Sequence, residues 1–241
     1  MRYAIFSDIH GNLEAFQEAL KFYKQERIDR FIFLGDIVGY GVNPKEVIAL
    51  LKEINPVSIA GNHDWGVTNR LSGEHFNEYA EAALVWTKQI ITEKEIKYIN
   101  TFPLTYEEDN FFCVHGTLND PQNFNYLSGI NEARVNFLLL KQQILFVGHS
   151  HKAQIYYANS GGVFFYPQSE VTIKNNEKYI INVGSIGQPR DRDRRLSFCI
   201  YDTEEKLARI VRLDYNISAA AEKIINARLP AMLSSRLFIG L

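Results

Sequence analysis

The sequence predicts an α/β fold in which two β-sheets pack together beneath helices. Three observations carry this expectation. Short apolar runs alternate with helically periodic segments through the first quarter of the chain. The texture turns β-rich from Val163 onward. No internal repeat, low-complexity tract or Pro/Gly/Ser-rich linker divides the 241 residues, so residues 1–241 are expected to form one domain. Hydrophobic residues at 46% and charged residues at 22% exclude a disordered tail, a collagen-like fibre and a disulfide miniprotein.

Tyr3–Phe6 is an apolar run that ends at the polar cluster Ser7-Asp8-Ile9-His10-Gly11-Asn12. Leu13, Phe16, Leu20 and Tyr23 then recur at helical spacing. Phe31–Leu34 is the next strand, closed by Gly35-Asp36 and a loop with Gly39 and Gly41. Pro44 suits the first turn of a helix carrying Val47, Ile48 and Leu51. Val57–Ala60 is a third strand, ending in Gly61-Asn62-His63-Asp64. The stretch from Glu74 to Asn100 reads mostly helical. Phe111–Val114 and Ile144–Val147 are short strands that each end in Gly and His. Val163–Tyr166, Tyr179–Val183, Ser197–Asp202 and Leu207–Leu213 follow as strands, with a hairpin signal at Asn175-Asn176, and Ala219 to Leu241 returns to helix. The aromatics Phe111, Phe112, Phe164, Phe165 and Tyr166 are expected in the sheet core rather than as base-stacking platforms.

A net charge of −2 gives no electrostatic case for DNA, RNA or a membrane surface as partner. The mixed-sign run Arg190–Arg195 reads as a solvated or site-edge loop, not a nucleic-acid stripe. Cys113 and Cys199 sit far apart in apolar contexts and read as buried, reduced thiols. No apolar run reaches membrane-spanning length, and MRYAIFSD does not read as a signal peptide, so a cytoplasmic location is expected.

The histidines carry the functional argument. Five of the six (His10, His63, His115, His149, His151) follow immediately on predicted strands, among glycines and acids. In α/β sheets ligands bind at the carboxyl ends of strands. Asp8, His10, Asp36, Asn62, His63, Asp64, His115, His149 and His151 therefore converge on one edge. Imidazoles and carboxylates suit Mn²⁺, Fe and Zn²⁺, and a bridging carboxylate holds two cations that clamp an in-line displacement at phosphorus. Taken singly, each signal is weak. A lone histidine after a strand is commonly a satisfied core residue, and Asp36 alone is also consistent with a turn acid or cap. Gly39-x-Gly41 lacks the third glycine of a dinucleotide fingerprint, and no GK[ST] follows.

The ordered set D-x-H (Asp8, His10), G-D (Asp36), G-N-H-D (Asn62 to Asp64), H-G (His115) and G-H-x-H (His149, His151) resembles the five signatures of the calcineurin-like metallophosphoesterases. D-I-H-G-N, G-D-I-V-G-Y-G, N-V-G-S-I-G-Q-P-R-D at Asn182–Asp191 and the closing L-P-x-x-L-x-x-R-L resemble its small prokaryotic phosphodiesterase and diadenosine tetraphosphatase-like members. The resemblance implies a four-layer α-β-β-α sandwich of two mixed sheets, with a dinuclear metal site at one edge. Asp8, His10, Asp36 and His151 would hold the first ion; Asp36 would bridge to a second, completed by Asn62, His115 and His149. His63, oriented by Asp64, would serve as general acid or charge stabiliser. The implied reaction is hydrolysis of a phosphoester by a metal-bridging hydroxide, on a small phosphodiester or dinucleoside polyphosphate. A protein or mononucleotide phosphatase and a metal-binding scaffold of the same fold stay open as alternatives. The ions could be Mn²⁺, Fe, Zn²⁺, Co²⁺ or Ni²⁺.

One departure from the serine/threonine phosphatase branch is informative. The arginines that branch carries after G-D and before G-N-H are missing here. Arg190 is the candidate replacement for gripping phosphate, with a salt bridge to Asp191 or Asp193 as its other reading. Asn12 could add a hydrogen bond to a phosphoryl oxygen or cap the helix from Leu13, and Tyr40 could pack on a substrate base or sugar.

Overall fold

In the computed structural model, which describes residues 1–241, the first strand already sets the layering. In β1 (Arg2–Phe6), Ala4 and Phe6 are buried in one apolar cluster while Tyr3 and Ile5 are buried in another. A strand buried on both faces lies between layers. The chain continues through α1 (Leu13–Gln25), β2 (Arg30–Phe33), α2 (Pro44–Ile54), the two-residue β3 (Val57–Ser58), α3 (Asn62–Val67), α4 (Glu78–Ile90) and α5 (Glu93–Ile99). Next come β4 (Thr105–Glu107), β5 (Phe111–Val114), α6 (Ile130–Leu139), β6 (Ile144–Val147), β7 (Ala153–Asn159), β8 (Gly162–Tyr166) and β9 (Glu170–Thr172). The remaining elements are β10 (Lys178–Val183), β11 (Leu196–Asp202), β12 (Leu207–Leu213), α7 (Ile217–Asn226) and α8 (Ala231–Ile239).

Two six-stranded mixed sheets result, ordered β3-β2-β1-β11-β12-β9 and β4-β5-β6-β10-β7-β8. The parallel strands β1, β2 and β3 in one sheet, and β5, β6 and β10 in the other, run side by side. Between the sheets lies a core that includes Tyr3, Ile5, Ile32, Phe111, Phe146, Ile181 and Tyr201, with both free thiols, Cys113 and Cys199, buried in it. Phe16 of α1, Val47 of α2, Leu84 of α4, Ile224 of α7 and Leu233 of α8 pack onto the outer face of the first sheet. Ala133 and Phe137 of α6 cover the second. This is the four-layer sandwich. No helix is long and apolar enough to cross a membrane.

Several expectations need correction. The third strand stops at Ser58, because the Ala60 amide leaves the ladder to donate to the Pro103 carbonyl (2.8 Å). Asn175-Asn176 forms a turn but no hairpin: β9 pairs with β12 in the first sheet, whereas β10 pairs with β6 and β7 in the second. Phe164 and Phe165 are 39% and 51% exposed, because β8 is an edge strand with no neighbour beyond it. The C-terminal helix breaks into two at Leu229-Pro230.

Candidate metal centre

The carboxyl ends of β1, β2, β3, β5 and β6 deliver Asp8 and His10, Asp36, Asn62 and His63, His115, and His149 and His151 to one edge. The chain makes sharp exits there. Asp8, His10, Asp36, Tyr40, His149 and His151 all adopt left-handed backbone conformations, with φ between 49° and 63°. Such angles in non-glycine residues cost of order 1–3 kcal/mol each and persist where the surroundings over-determine them. Glycine is required where backbones meet side chains: a Cβ on Gly61 would lie 2.1 Å from Asp36 Oδ1.

Each carboxylate divides its two oxygens. Asp8 Oδ2 accepts from the His149 amide (3.0 Å) and Asp36 Oδ1 from the His63 amide (2.8 Å). The other oxygens, Asp8 Oδ1 and Asp36 Oδ2, are buried without a hydrogen-bond partner. Asp8 Oδ1 faces His151 Nε2 at 3.2 Å, and Asp36 Oδ2 faces His115 Nε2 at 3.3 Å and His10 Nε2 at 3.7 Å.

The imidazoles are prepared in the same way. Nδ1 of His10, His115 and His151 donates to the carbonyls of Val38 (2.8 Å), Leu34 (2.7 Å) and Gln188 (2.5 Å). A carbonyl only accepts, so each Nδ1 carries a proton and each Nε2 is aimed inward, the orientation a metal ligand needs. His10 and His151 bring those Nε2 atoms to 3.1 Å. Burial, followed by neighbouring cationic groups, pushes His149 down to about 3 and His151 to about 4, so both are neutral donors. Burial opposes protonation of His115 too, but Asp36 and Asp8 outweigh it and raise it to about 9. For Asp8 and Asp36 burial acts upward, and the surrounding histidines outweigh it to hold both carboxylates ionised.

These donors fit divalent cations. Three groups have ligand atoms within 4.8 Å of one another: Asp8, His10 and His151; Asp36, His115 and His149; and His10, Asp36 and His63. Asn62 Oδ1 and His115 Nε2 are also buried and unpartnered beside them. Unsatisfied buried polar atoms are costly, and here they share one focus of mixed O and N donors.

The His63 ring lies 4.8 Å from His10 and 4.6 Å from Tyr40, and its Nδ1 has no partner. Asp64 does not orient that ring, contrary to expectation. Its Oδ2 accepts from the amides of Asp36 (2.8 Å) and Gly61 (3.0 Å), and its Oδ1 from Ile37 (3.1 Å). Asp64 thus clasps the loops after β2 and β3 together. Both ends of the Asn12 amide are engaged within the fold, as cap to the Ala15 amide and as donor to the Gly187 carbonyl (2.8 Å). Tyr40 is buried against His10 and His63, beneath the Arg190 guanidinium at 5.3 Å. Arg190 makes no salt bridge with Asp191 or Asp193, which pair with Arg212 and Arg195 instead.

Phe124 and Tyr126 carried no sequence signal. Tyr126 stacks on His149 at 4.0 Å, and Phe124 packs edge-on to His115. Beside them a cleft of about 510 Å³ opens onto Asn62 and His149, lined also by Leu71, His75 and Tyr126. Ser185 and Asn182 brace the floor: the Ser185 hydroxyl donates to the Asp8 carbonyl (2.9 Å), and the Asn182 amide to the Gly148 carbonyl (2.9 Å). The segment Asn182–Asp191 thereby ties together the loops that carry the candidate donors of both sheets.

Known proteins share this architecture. A family model described as the calcineurin-like phosphoesterase superfamily domain matches residues 1–206. The chain is 38% identical to an uncharacterized protein of Methanocaldococcus jannaschii, across 98% of this chain and 97% of that one. It is 25% identical to the phosphodiesterase YfcE of Escherichia coli over 68% of this chain and 79% of that one. A solved metallophosphoesterase from Sphaerobacter thermophilus superposes with a TM-score of 0.86 at 31% identity, covering 100% of both chains. With the fold, the convergent donors and these likenesses in agreement, the chain belongs to the calcineurin-like phosphoesterase superfamily and is a phosphoester hydrolase.

Proposed function

We propose that the protein is a dinuclear, metal-dependent hydrolase of small phosphodiesters or dinucleoside polyphosphates. One observation carries this reading: Asp8 and Asp36 each spend one oxygen on a backbone amide and keep the other, buried and unpartnered, facing imidazoles of fixed tautomer. Asp8, His10, Asp36 and His151 would hold one cation, and Asp36, Asn62, His115 and His149 a second, with Asp36 as the bridge. When bound, such cations polarise phosphoryl oxygens and make water a nucleophile near neutral pH.

The chain's own groups supply the rest. His63, its Nδ1 buried and unpartnered, would give a proton to the departing oxygen once the substrate's negative charge offsets the burial that holds the ring neutral. Phe124 and Tyr126 wall the cleft beside Asn62 and His149 that would receive the leaving group, and Arg190, over Tyr40, offers its guanidinium to a phosphate of the substrate. The relative named as a phosphodiesterase favours a diester over a monoester. Two buried free thiols suit a reducing compartment such as the cytoplasm.

The test uses metal-stripped protein with Mn²⁺ restored, assayed on bis(4-nitrophenyl) phosphate and on 4-nitrophenyl phosphate. Mn²⁺-dependent diester cleavage is expected. Cleavage of the monoester alone overturns the substrate class, and silence on both and on diadenosine tetraphosphate, with two ions bound, overturns the enzymatic reading of this site.

A further inference from the structure

Gln188 Oε1 is shared by two arginines. Arg190 donates to it through Nε (3.2 Å) and Nη2 (2.7 Å), and Arg236 of α8 through Nη1 (3.2 Å). Neither guanidinium forms an ion pair, because the acids of the adjoining loop are engaged elsewhere: Asp191 with Arg212 and Asp193 with Arg195. Arg236 Nε is buried with no hydrogen-bond partner at all. Two cations therefore converge on one neutral oxygen, which can satisfy only a fraction of their ten N–H donors. Such like-charge convergence is unfavourable unless an anion completes it.

The pair is coupled directly to the metal centre. The Gln188 carbonyl accepts from His151 Nδ1, the Arg190 amide donates to the His151 carbonyl (3.0 Å), and the Arg190 guanidinium covers Tyr40, which packs on His10 and His63. The fork of an arginine matches phosphate oxygens bidentately. Arg236 also lies beyond the matched residues 1–206, in the closing L-P-x-x-L-x-x-R-L stretch.

We propose that Arg190 and Arg236 form a subsite for a second phosphoryl group, adjacent to the one that reacts, so that the enzyme selects nucleotides bearing a phosphoanhydride over simple diesters. This rests on the phosphodiesterase reading above and narrows its substrate class. Arg190 supplies the inner contact, Arg236 the outer one, and Gln188 sets the spacing between them.

The test compares AMP, with one phosphoryl group, and ADP, with two and used as its non-hydrolysable α,β-methylene analogue, by equilibrium titration into the metal-loaded protein. Wild type is expected to bind ADP about tenfold or more tightly than AMP, the scale of one charge-assisted pair. Arg236→Gln brings the ratio near one, Arg236→Lys keeps part of it, and Arg209→Gln, on the far strand β12, leaves it unchanged. Should Arg236→Gln not fold, Arg190→Gln is expected to collapse the same ratio. A wild-type ratio near one, or an Arg236→Gln variant that loses AMP and ADP equally, overturns the subsite. Failure to cleave either the chromogenic diester or diadenosine tetraphosphate would instead overturn the underlying hydrolase reading, since the titration does not depend on turnover.

Discussion

Asp64 offers a perturbation whose outcome separates two roles. In Asp64→Asn the amide keeps one acceptor oxygen. Placed at Oδ2, it retains the Asp36 and Gly61 amides and turns its own N–H groups toward the Ile37 amide. That leaves a buried backbone donor unpaired, which costs about 1–3 kcal/mol. Unfolding entropy near 2.1 cal/mol/K per residue gives this chain about 0.5 kcal/mol per degree, so Tm should fall by about 2–6 °C. Asp64→Ala strands three buried amides and should cost at least about 3 kcal/mol, a loss of about 6 °C or more. The assay is thermal unfolding followed by circular dichroism, run with metals and again in chelator. The loss should appear in both, because the clasp is a backbone device. If Asp64→Asn melts within a degree of wild type while kcat collapses, Asp64 acts on His63 and the clasp assignment is wrong.

Three further outcomes follow from the same geometry. Asp36→Asn should lower occupancy of both metal sites together by elemental analysis; loss of one ion alone contradicts a bridging carboxylate. His63→Ala should keep two ions while kcat drops by about 10²–10⁴, the usual worth of a positioned acid, and a matching fall in metal content would make it a ligand. Gly39→Ala would place a Cβ 2.3 Å from His63 Nδ1 at a φ of +88°, so kcat should fall with metal content intact. An unchanged kcat would show that His63 moves freely and plays no positioned role.

The convergence of candidate donors was legible because metal chemistry restricts residue types and α/β topology restricts position. His10, His115, His149 and His151 could be assigned to strand ends from their neighbours alone. The role of Asp64 was not legible, because adjacency to His63 suggested contact. The first turn of α3 separates them: the residue three after the helix cap folds its carboxylate back to the cap amide of Gly61. Helix α6 escaped notice since Leu138 and Leu139 are exposed, at 87% and 49%, and blur any apolar face. The edge position of β8, which exposes Phe164 and Phe165, depends on strand order, and no local pattern encodes that. Arg236 and Gln188 meet only through tertiary folding, 48 positions apart in the chain.

The donors at the centre come from both halves of the sandwich. Asp8, His10, Asp36 and Asn62 follow strands of the first sheet, and His115, His149 and His151 follow strands of the second. A cation bound there would be a cross-brace between two layers joined otherwise by apolar contact and by hydrogen bonds such as His115 Nδ1 to the Leu34 carbonyl, so metal supply and resistance to unfolding become one thermodynamic variable. Each ion at a hundredfold excess over its Kd adds about 2.7 kcal/mol to the folded state. A cell that starves this protein of metal would thus loosen its architecture along with its catalysis, and the melting temperature should rise as the ions are supplied.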